Sequence, residues 1–359
     1  MTASAATTAT APRHDAAALV AFAAALLERS GVRTDIAADV AAILVDGDLM
    51  GHTTHGLAQL PGYLAELQKG TMAKDGAPTV VNARPATETW DGGRLPGPWL
   101  TLRALDRAAA MAAACGTGTV VIRRSHHIAC LAAYVKRATD RGLMLIVACS
   151  DPSGASVAPF GAVSPVFTPN PIAAGLPTPG DPILLDISAS YTTNGLTGRL
   201  HKAGGRLPHP WVQDAQGNAT DDPAVLFNEP KGTLLPLGGL EAGHKGYALA
   251  LLIEALTAGL AGFGRADPSE GWGATGFVQV LDPAAFGGGD AYSRQTGWLA
   301  DACHAATPRE GVARVRLPGE RGLALMREQR ARGVELHPSI VPALVPWAEK
   351  LGVALPPPR

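Results

Sequence analysis

The spacing of apolar residues changes near Gly70, and this change constrains the fold more than any other feature of the sequence. From Asp15 to Leu67 apolar residues recur every three to four positions, as in DAAALVAFAAALLERSG, which is typical of amphipathic helices. After Gly70 short β-type runs alternate with helical stretches, and the runs include PTVV, TVVIRR, LMLIVACS and PILLDIS. The sequence therefore predicts a helical unit followed by an α/β unit.

Two units can be delimited along the chain. The helical unit is predicted over residues 15–75, and helices at about 243–262 and 322–350 are expected to join it. The α/β unit is predicted over residues 76–235 and 265–321. A chain of 359 residues, 47% of them apolar, can bury one large core or two moderate ones, so both units are expected to be globular.

Local signals add detail to this division. Thr34–Asp35 is a favourable helix N-cap, and another short helix is expected to begin after His55. From about Asn194 to Leu235 the sequence is rich in Gly, Pro, Asp and His without a regular period, which predicts a long irregular excursion of a kind that often carries function. Near the carboxyl end, ARVRLP (313–318) predicts a strand, and two helices follow.

Charge and hydropathy exclude several classes of partner. The formal net charge is -1 and no long Lys/Arg run occurs, so neither nucleic acid nor an anionic membrane is expected to bind. No apolar run reaches the roughly 18 to 20 residues of a membrane span. The first twelve residues, MTASAATTATAP, lack the parts of a signal peptide and are expected to be a frayed tail. The four cysteines form no Cys-x-x-Cys pair, which indicates free thiols and a cytoplasmic location.

The common nucleotide-binding signatures are missing. No Gly-x-Gly-x-x-Gly follows a predicted strand, so the Rossmann fingerprint that seats a pyrophosphate on a helix N-terminus is not present. The nearest approach to a Walker loop is GGLEAGHK, residues 238–245, in which His244 separates the last glycine from the lysine and no Ser or Thr follows. A Rossmann fold and an NTPase are therefore disfavoured.

Polar side chains cluster in three stretches of otherwise apolar sequence, namely GHTTHGLAQLPGYL, RRSHHIACL and ACSDPSGASVAPFG. The second and third follow predicted strands, where α/β folds present ligand-binding groups. Two of the stretches contain histidine, whose unperturbed pKa suits proton transfer near neutral pH. A single histidine is more often structural than catalytic, but these stretches are the best candidates for a site.

These stretches resemble motifs of the type 2 malate/L-lactate dehydrogenase-like oxidoreductases, a family that includes ureidoglycolate dehydrogenase, sulfolactate dehydrogenase and piperideine-2-carboxylate reductase. The resemblance extends from about Asp15 to the last predicted helices. The motif D-x-x-G-x-x-S-H-G is similar to residues Asp48–Gly56, which overlap the first stretch. The segments that carry the resemblance are Asp48–Gly56, His126–His127, Ser150–Gly161, Asn170–Pro171, Asp186–Ser190 and His244–Ala248.

The resemblance implies an α/β fold with a non-Rossmann mixed sheet that binds NAD or NADP, a helical domain, and a homodimer with the active site near the subunit interface. It implies hydride transfer between NAD(P)H and a small 2-oxo or 2-hydroxy acid, or a related cyclic imine. His127 is expected as the general acid/base and His55 as a second catalytic histidine, with roles that can be exchanged, while Thr54 and Gln59 orient the substrate. The cofactor-binding residues it implies are Ser150, Asp151, Asn170, Asp186, Ile187, Ser188, Lys245, Gly246, Gly319, Glu320 and Arg321.

The sequence departs from the family pattern at the substrate. Gln59 stands where the family usually has an arginine that grips the substrate carboxylate, and a neutral amide cannot form that charge-assisted fork. Either another cation, such as Arg124 or Arg199, replaces it, or the substrate is not a simple 2-oxo acid. Pro169 also removes a backbone donor near the expected nicotinamide site. The sequence leaves open the natural substrate, the physiological direction and the choice between NAD and NADP.

Two alternatives remain. One is a metal-dependent hydrolase or lyase built on His55, His126, His127 and Asp151, although no metal site is expected because no His-x-x-x-His or Glu-x-x-His spacing supports it. The other is a non-catalytic homologue that has lost activity through the changes at Gln59 and Pro169.

Overall fold

The computed structural model describes residues 12–268 and 271–359, so all but the last residue of the predicted frayed tail lies outside the described part. The helices are α1 (Ala16–Arg29), α2 (Thr34–Leu49), α3 (Leu60–Lys69), α4 (Gly97–Cys115), α5 (Ala132–Thr139), α6 (Asn194–Lys202), α7 (Gly239–Ala242), α8 (His244–Glu254), α9 (Gly289–Ala305), α10 (Glu320–Arg332) and α11 (Ile340–Leu351). The strands are β1 (Arg13–His14), β2 (Thr79–Arg84), β3 (Thr87–Asp91), β4 (Thr117–Ser125), β5 (Met144–Ser150), β6 (Pro171–Leu176), β7 (Ile183–Ser188), β8 (Val212–Gln213), β9 (Ala219–Thr220), β10 (Thr233–Leu234), β11 (Ala274–Leu281) and β12 (Val334–Glu335).

A seven-stranded mixed sheet organises the molecule, with strand order β2-β3-β4-β11-β5-β6-β7. The pair β3 and β4 is parallel, and every other neighbouring pair in this sheet is antiparallel. A Rossmann sheet is built from parallel strands, so the predicted non-Rossmann mixed α/β fold is confirmed.

Both faces of the sheet are covered. Val120 on β4 and Val147 on β5 belong to a large core that continues through α4 and α5 to α1, α2, α3, α10 and α11. The next residues, Val121 and Ala148, belong to a second core on the opposite face, which includes Ile253 of α8. Successive side chains of a strand point to opposite faces, so a strand buried on both sides is apolar throughout. This explains the continuous apolar runs TVVIRR and LMLIVACS.

The segment 243–262 lies elsewhere than expected. It forms α8 and a π-helical turn, Ala255–Gly259, and both pack on the sheet instead of on the helical unit; the turn contacts β4, β5 and β11. Gly246 brings α8 close to neighbouring backbone, because a Cβ at this position would lie 2.3 Å from the amide nitrogen of Leu237. The helices α10 and α11 do contact α2 and α3.

Three local expectations need correction. The excursion 194–235 is more regular than expected, because it contains α6 and the small antiparallel sheet β10-β8-β9. No strand forms at 313–318, where the one backbone bond to the main sheet is donated by Leu184 to Pro318 at 3.1 Å. The N-cap of α2 is Arg33 and makes no side-chain capping bond, so Thr34 is the first helical residue.

Candidate active site

One edge of the main sheet brings the predicted site residues together. Strands β4 and β5 both run antiparallel to β11, so their carboxyl ends meet at the same edge, where Ser125 pairs with Ala274 and Ser150 with Thr275. The end of β7 lies at this edge too, because Ser188 pairs with Pro171 at the start of β6. A cleft of about 1070 Å³ opens there. The predicted site residues that line it are Thr54, His55, Gln59, His127, Ser150, Asp151, Asn170, Asp186, Ile187 and Ser188.

His127 is held through one of its ring nitrogens. Its Nδ1 atom lies 2.8 Å from the Tyr63 hydroxyl and accepts a hydrogen bond from the Ala129 backbone amide at 3.2 Å. The Tyr63 hydroxyl also lies 3.1 Å from the His127 carbonyl oxygen, to which it can donate. Burial, with smaller contributions from His55 and His126, lowers the pKa of His127 to about 3, so the imidazole is neutral near pH 7.

Tyr63 was missed in the sequence, although it belongs to the stretch GHTTHGLAQLPGYL. It occupies an apolar position of α3 and is 2% exposed, so it reads as a core residue. A buried tyrosine normally finds a partner for its hydroxyl, and here that partner is His127.

His55 stacks against His127 in the cleft. The two ring centroids are 5.9 Å apart with an interplanar angle of 18°. The Thr54 hydroxyl lies 2.9 Å from Nδ1 of His55. Burial lowers the pKa of His55 to about 4, with smaller contributions from His52 and Arg199. Two neutral imidazoles therefore share the cleft at neutral pH.

A buried carboxyl group fixes the loop that carries His55. Asp48, at the end of α2, accepts a hydrogen bond from the Leu57 amide at 2.7 Å, and burial raises its pKa to about 7. The loop passes so close that a Cβ at Gly56 would lie 2.4 Å from this carboxyl group. The motif D-x-x-G-x-x-[ST]-H-G thus pairs an aspartate with the glycine that makes room for it.

Of the two cations that could replace the family arginine, Arg199 lies in the cleft. Its guanidinium donates to the Thr53 hydroxyl at 2.9 Å and to the Thr53 carbonyl at 2.6 Å, and no carboxylate of the described residues lies within ion-pair distance. Burial lowers the pKa of Arg199. Arg124 instead forms an ion pair with Asp91 at 2.9 Å, outside the cleft. The side-chain amide of Gln59 is directed at the protein backbone, where it donates to the Thr54 carbonyl at 2.6 Å.

Ser150 and Asn170 support the cleft wall from behind. Both side chains donate to Glu254 of α8, at 2.7 and 2.9 Å, and Arg265 forms an ion pair with the same carboxylate at 2.9 Å. Ser150 is 1% exposed and Asn170 is fully buried, so their polar groups make hydrogen bonds within the protein. The sequence motifs do not predict that Glu254 and Arg265 belong to the site. The one sequence feature that could have indicated Glu254 is that it is the single acidic residue in the apolar run ALALLIEALTAGL.

Five predicted cofactor residues are not brought to this cleft. Lys245 and Gly246 lie at the start of α8, where Lys245 is exposed. Gly319 packs against Leu184, and Arg321 is exposed. The carboxylate of Glu320 is already paired with Arg314 and His304 and accepts the Leu317 amide. Motif similarity predicts these positions, but it carries no information on distance.

The residues of the predicted hydrolase centre do not converge on one point. His126 stacks on Trp272 with ring centroids 5.2 Å apart, and neither of its ring nitrogens has a hydrogen-bond partner. Within residues 12–268 and 271–359, the ligand atoms that converge belong to His52, Cys130 and Asp186.

The comparison with known protein families distinguishes the dehydrogenase prediction from the hydrolase prediction. The model of the malate/L-lactate dehydrogenase family matches residues 14–345. The chain belongs to this family. The resemblance predicted from the motifs is therefore confirmed, and the dehydrogenase prediction is supported over the hydrolase.

Members of the malate/L-lactate dehydrogenase family match the chain over most of its length. The (2R)-3-sulfolactate dehydrogenase (NADP(+)) of Chromohalobacter salexigens is 34% identical over 336 residues, which are 91% of this chain and 95% of that protein. The structure of malate dehydrogenase from Pyrococcus horikoshii OT3 superposes with a TM-score of 0.88 at 25% identity and covers 99% of both chains. That of Δ1-piperideine-2-carboxylate reductase from Pseudomonas syringae pvar. tomato gives 0.82 at 26% identity, over 94% of this chain and 99% of that one.

Proposed function

We propose that the protein transfers a hydride between NAD or NADP and a small substrate that carries a carboxylate next to a hydroxyl, carbonyl or cyclic imine carbon. The observation that carries this proposal is the pairing, in one cleft, of two neutral imidazoles with a half-buried arginine that has no acidic partner among the described residues. The relatives named above act on sulfolactate, malate and piperideine-2-carboxylate, each of which contains a carboxylate.

His127 is the proposed general acid/base. Its low pKa favours the neutral form, which accepts the proton of a substrate hydroxyl during oxidation. The tautomer decides which role the ring takes: when Nδ1 accepts the Ala129 amide, Nε2–H is a proton donor. In the other tautomer the Tyr63 hydroxyl accepts Nδ1–H and donates to the His127 carbonyl, and Nε2 is then free as the base. In the reverse direction, the negative charge of a bound carboxylate raises the pKa of His127 and favours the imidazolium that protonates the product oxygen or nitrogen.

Arg199 is the proposed carboxylate anchor. A guanidinium has five N–H donors, and two of them are directed at Thr53, so three remain for a ligand. Thr54 and His55 then orient the reacting carbon, and Gln59 holds their loop through the Thr54 carbonyl.

The cleft fits a nicotinamide cofactor. Its volume of about 1070 Å³ lies just above the usual range for sites of drug-sized ligands, which suits a dinucleotide together with a small substrate. Asp151, Asp186, Ile187 and Ser188 are the residues proposed to contact it, while Ser150 and Asn170 support the wall. When bound, the nicotinamide ring supplies or accepts the hydride.

Binding and turnover are tested separately. NADH and NADPH are titrated against the protein while nicotinamide fluorescence is followed, and turnover is measured with a panel of 2-oxo acids and cyclic imine carboxylates. We expect His127→Ala to lower kcat by about 100- to 10,000-fold and to leave the fluorescence titration unchanged. The proposal fails if neither reduced cofactor binds to the wild-type protein.

We also propose that the protein is a homodimer. Apolar side chains are exposed on α8 and α9 and just after the π-helical turn: Leu252 is 51% exposed, Leu260 56% and Trp298 67%. Exposed apolar surface of this kind favours association, and a second copy of the chain is the proposed partner. Light scattering should give twice the monomer mass; a monomer at micromolar concentration would contradict the proposal.

A cytoplasmic location is proposed as well. All four cysteines are free thiols, which is typical of a reducing compartment. Within the described residues, no helix has both the length and the apolarity needed to cross a membrane.

A further inference from the structure

Three side chains with metal-binding atoms face one another on the wall of the cleft. His52 lies in the loop after α2, Cys130 lies between β4 and α5, and Asp186 lies on β7. One ligand atom from each lies within 4.8 Å of the other two, and Cys130 Sγ is 4.0 Å from Asp186 Oδ2. None of the three belongs to the proton-transfer machinery described above.

These ligand atoms have few other partners. Asp186 accepts one backbone hydrogen bond, from Ala132 at 2.9 Å, and no Lys or Arg of the described residues pairs with it. Within the same part of the chain, the thiol of Cys130 has Asp186 as its hydrogen-bond partner, and the ring of His52 makes no hydrogen bond. A partly buried carboxylate without a paired Lys or Arg gains from a bound cation, which would stabilise this arrangement.

The donor set and the spacing suit one class of ion. The thiolate sulfur is a soft donor and the imidazole nitrogen a borderline one, and both favour Zn²⁺ over Mg²⁺ or Ca²⁺, while a carboxylate oxygen also binds Zn²⁺. Zinc bonds of about 2.0 to 2.3 Å in tetrahedral geometry place neighbouring ligand atoms about 3.3 to 3.8 Å apart. The ligand atoms lie within 4.8 Å of one another, so a closure of roughly 1 Å at the longest separation would reach that geometry. All three residues line the cleft, from which a fourth ligand could come.

We propose that His52, Cys130 and Asp186 bind a zinc-like divalent cation on the cleft wall. As the metal–sulfur bond forms, the thiol proton of Cys130 is released to solvent. Because Asp186 is also one of the proposed cofactor contacts, the bound cation should compete with NAD(P)H. This competition rests on the proposed function, whereas the metal site does not.

The test uses metal binding without turnover. Purified protein freed of metal is titrated with Co²⁺, whose bond to a thiolate gives a charge-transfer band, and Zn²⁺ is then added as a competitor. We expect one equivalent with the thiolate band in the wild type. Cys130→Ala should lose the band and bind Zn²⁺ at least about tenfold more weakly. Cys149→Ala is the matched control, since Cys149 is another buried thiol that lines the cleft, and it should bind as the wild type does.

The outcomes separate the two proposals. The metal site is wrong if the wild type shows no thiolate band, or if Cys130→Ala binds Zn²⁺ as tightly as the wild type. If Cys130→Ala does not fold, His52→Gln takes its place under the same criterion. Stoichiometric Zn²⁺ binding without inhibition competitive with NAD(P)H would keep the metal site and refute the cofactor contact at Asp186. Normal NAD(P)H turnover without metal binding would refute the metal site alone.

Discussion

Replacement of Arg199 by methionine tests the proposed carboxylate anchor directly. Arg199 is half-buried in the cleft, and its two hydrogen bonds to Thr53 hold the guanidinium in place. Methionine keeps much of the length of the side chain and removes the charge. A substrate carboxylate then has Gln59 as a neutral neighbour, and the amide of Gln59 is already bonded to Thr54.

The size of the effect follows from the donors that remain. Three N–H groups of Arg199 are free for a carboxylate after Thr53 is satisfied. A hydrogen bond to a charged group contributes about 1.5 to 3 kcal/mol, so a fork of two that relaxes on binding is worth about 3 kcal/mol. Since 1.36 kcal/mol corresponds to a factor of ten, kcat/KM for a carboxylate substrate should fall by roughly 150-fold.

The assay compares each carboxylate substrate with its carboxamide analogue. The carboxamide has no negative charge, so Arg199→Met should change its kcat/KM by less than about fivefold. Arg206→Met is the matched control, because Arg206 follows the same helix but is exposed and paired with Asp221 outside the cleft. Introduction of Gln59→Arg into the Arg199→Met background should recover part of the loss, since it returns a cation to the cleft.

An equal loss for the carboxylate and the carboxamide would refute the reasoning. That result would mean that Arg199 acts through Thr53 and the position of the loop, because displacement of His55 slows both substrates alike. An unchanged kcat/KM for both would show that the substrate carboxylate binds elsewhere.

Three further predictions concern the architecture around the two imidazoles. Tyr63→Phe removes the hydroxyl next to Nδ1 of His127 at almost constant side-chain volume. We expect kcat to fall by about tenfold and the pH–rate profile to shift, while KM stays within twofold. An unchanged profile would show that Tyr63 does not influence the protonation of His127. Gly56→Ala places a methyl group 2.4 Å from a buried carboxyl group and should lower the free energy of unfolding by about 1 to 3 kcal/mol. Gly62→Ala is the control, because there is free space around Gly62 and the free energy of unfolding should not fall. Equal melting temperatures for the two variants would refute the close contact. Burial lowers the pKa of His126 from 6.5 to about 4, so between these pH values the unfolded chain binds more protons than the folded one and stability is lost as the pH falls. His126→Phe should therefore reduce the loss of stability against urea between about pH 7.5 and pH 5. The same loss in both proteins would show that His126 does not contribute.

Much of the fold could be predicted because local periodicity determines it. The runs PTVV, TVVIRR, LMLIVACS and PILLDIS all form strands of the main sheet. The position of β11 could not be predicted, since it enters between β4 and β5 after more than a hundred intervening residues. Such non-local pairing depends on the shape of the assembled sheet, which no window of sequence contains. The prediction of a strand at 313–318 is wrong for a related reason: a strand forms only beside a partner strand, and this segment has none among the described residues.

The candidate site also contains residues that the sequence predicts and residues that it does not. His55 and His127 could be found because histidine stands out in apolar sequence. Tyr63 and Glu254 could not, because each lies on an apolar helix where a single polar group looks incidental. Their roles come from tertiary contacts, which the sequence pattern does not record.

Gln59 and Arg199 line the same cleft, so a charge at one position affects the other. An arginine at position 59 and Arg199 would both direct positive charge into the same cleft, and like charges at low dielectric repel each other. The neutral amide of Gln59 avoids this repulsion and instead donates to the Thr54 carbonyl. Arg199 in turn donates to Thr53, so the proposed anchor and the amide grip adjacent residues of the loop that carries His55. In the proposed binding mode, a substrate carboxylate bound to Arg199 acts through Thr53 on the loop that carries His55, which would couple recognition of the anion to the geometry of proton transfer.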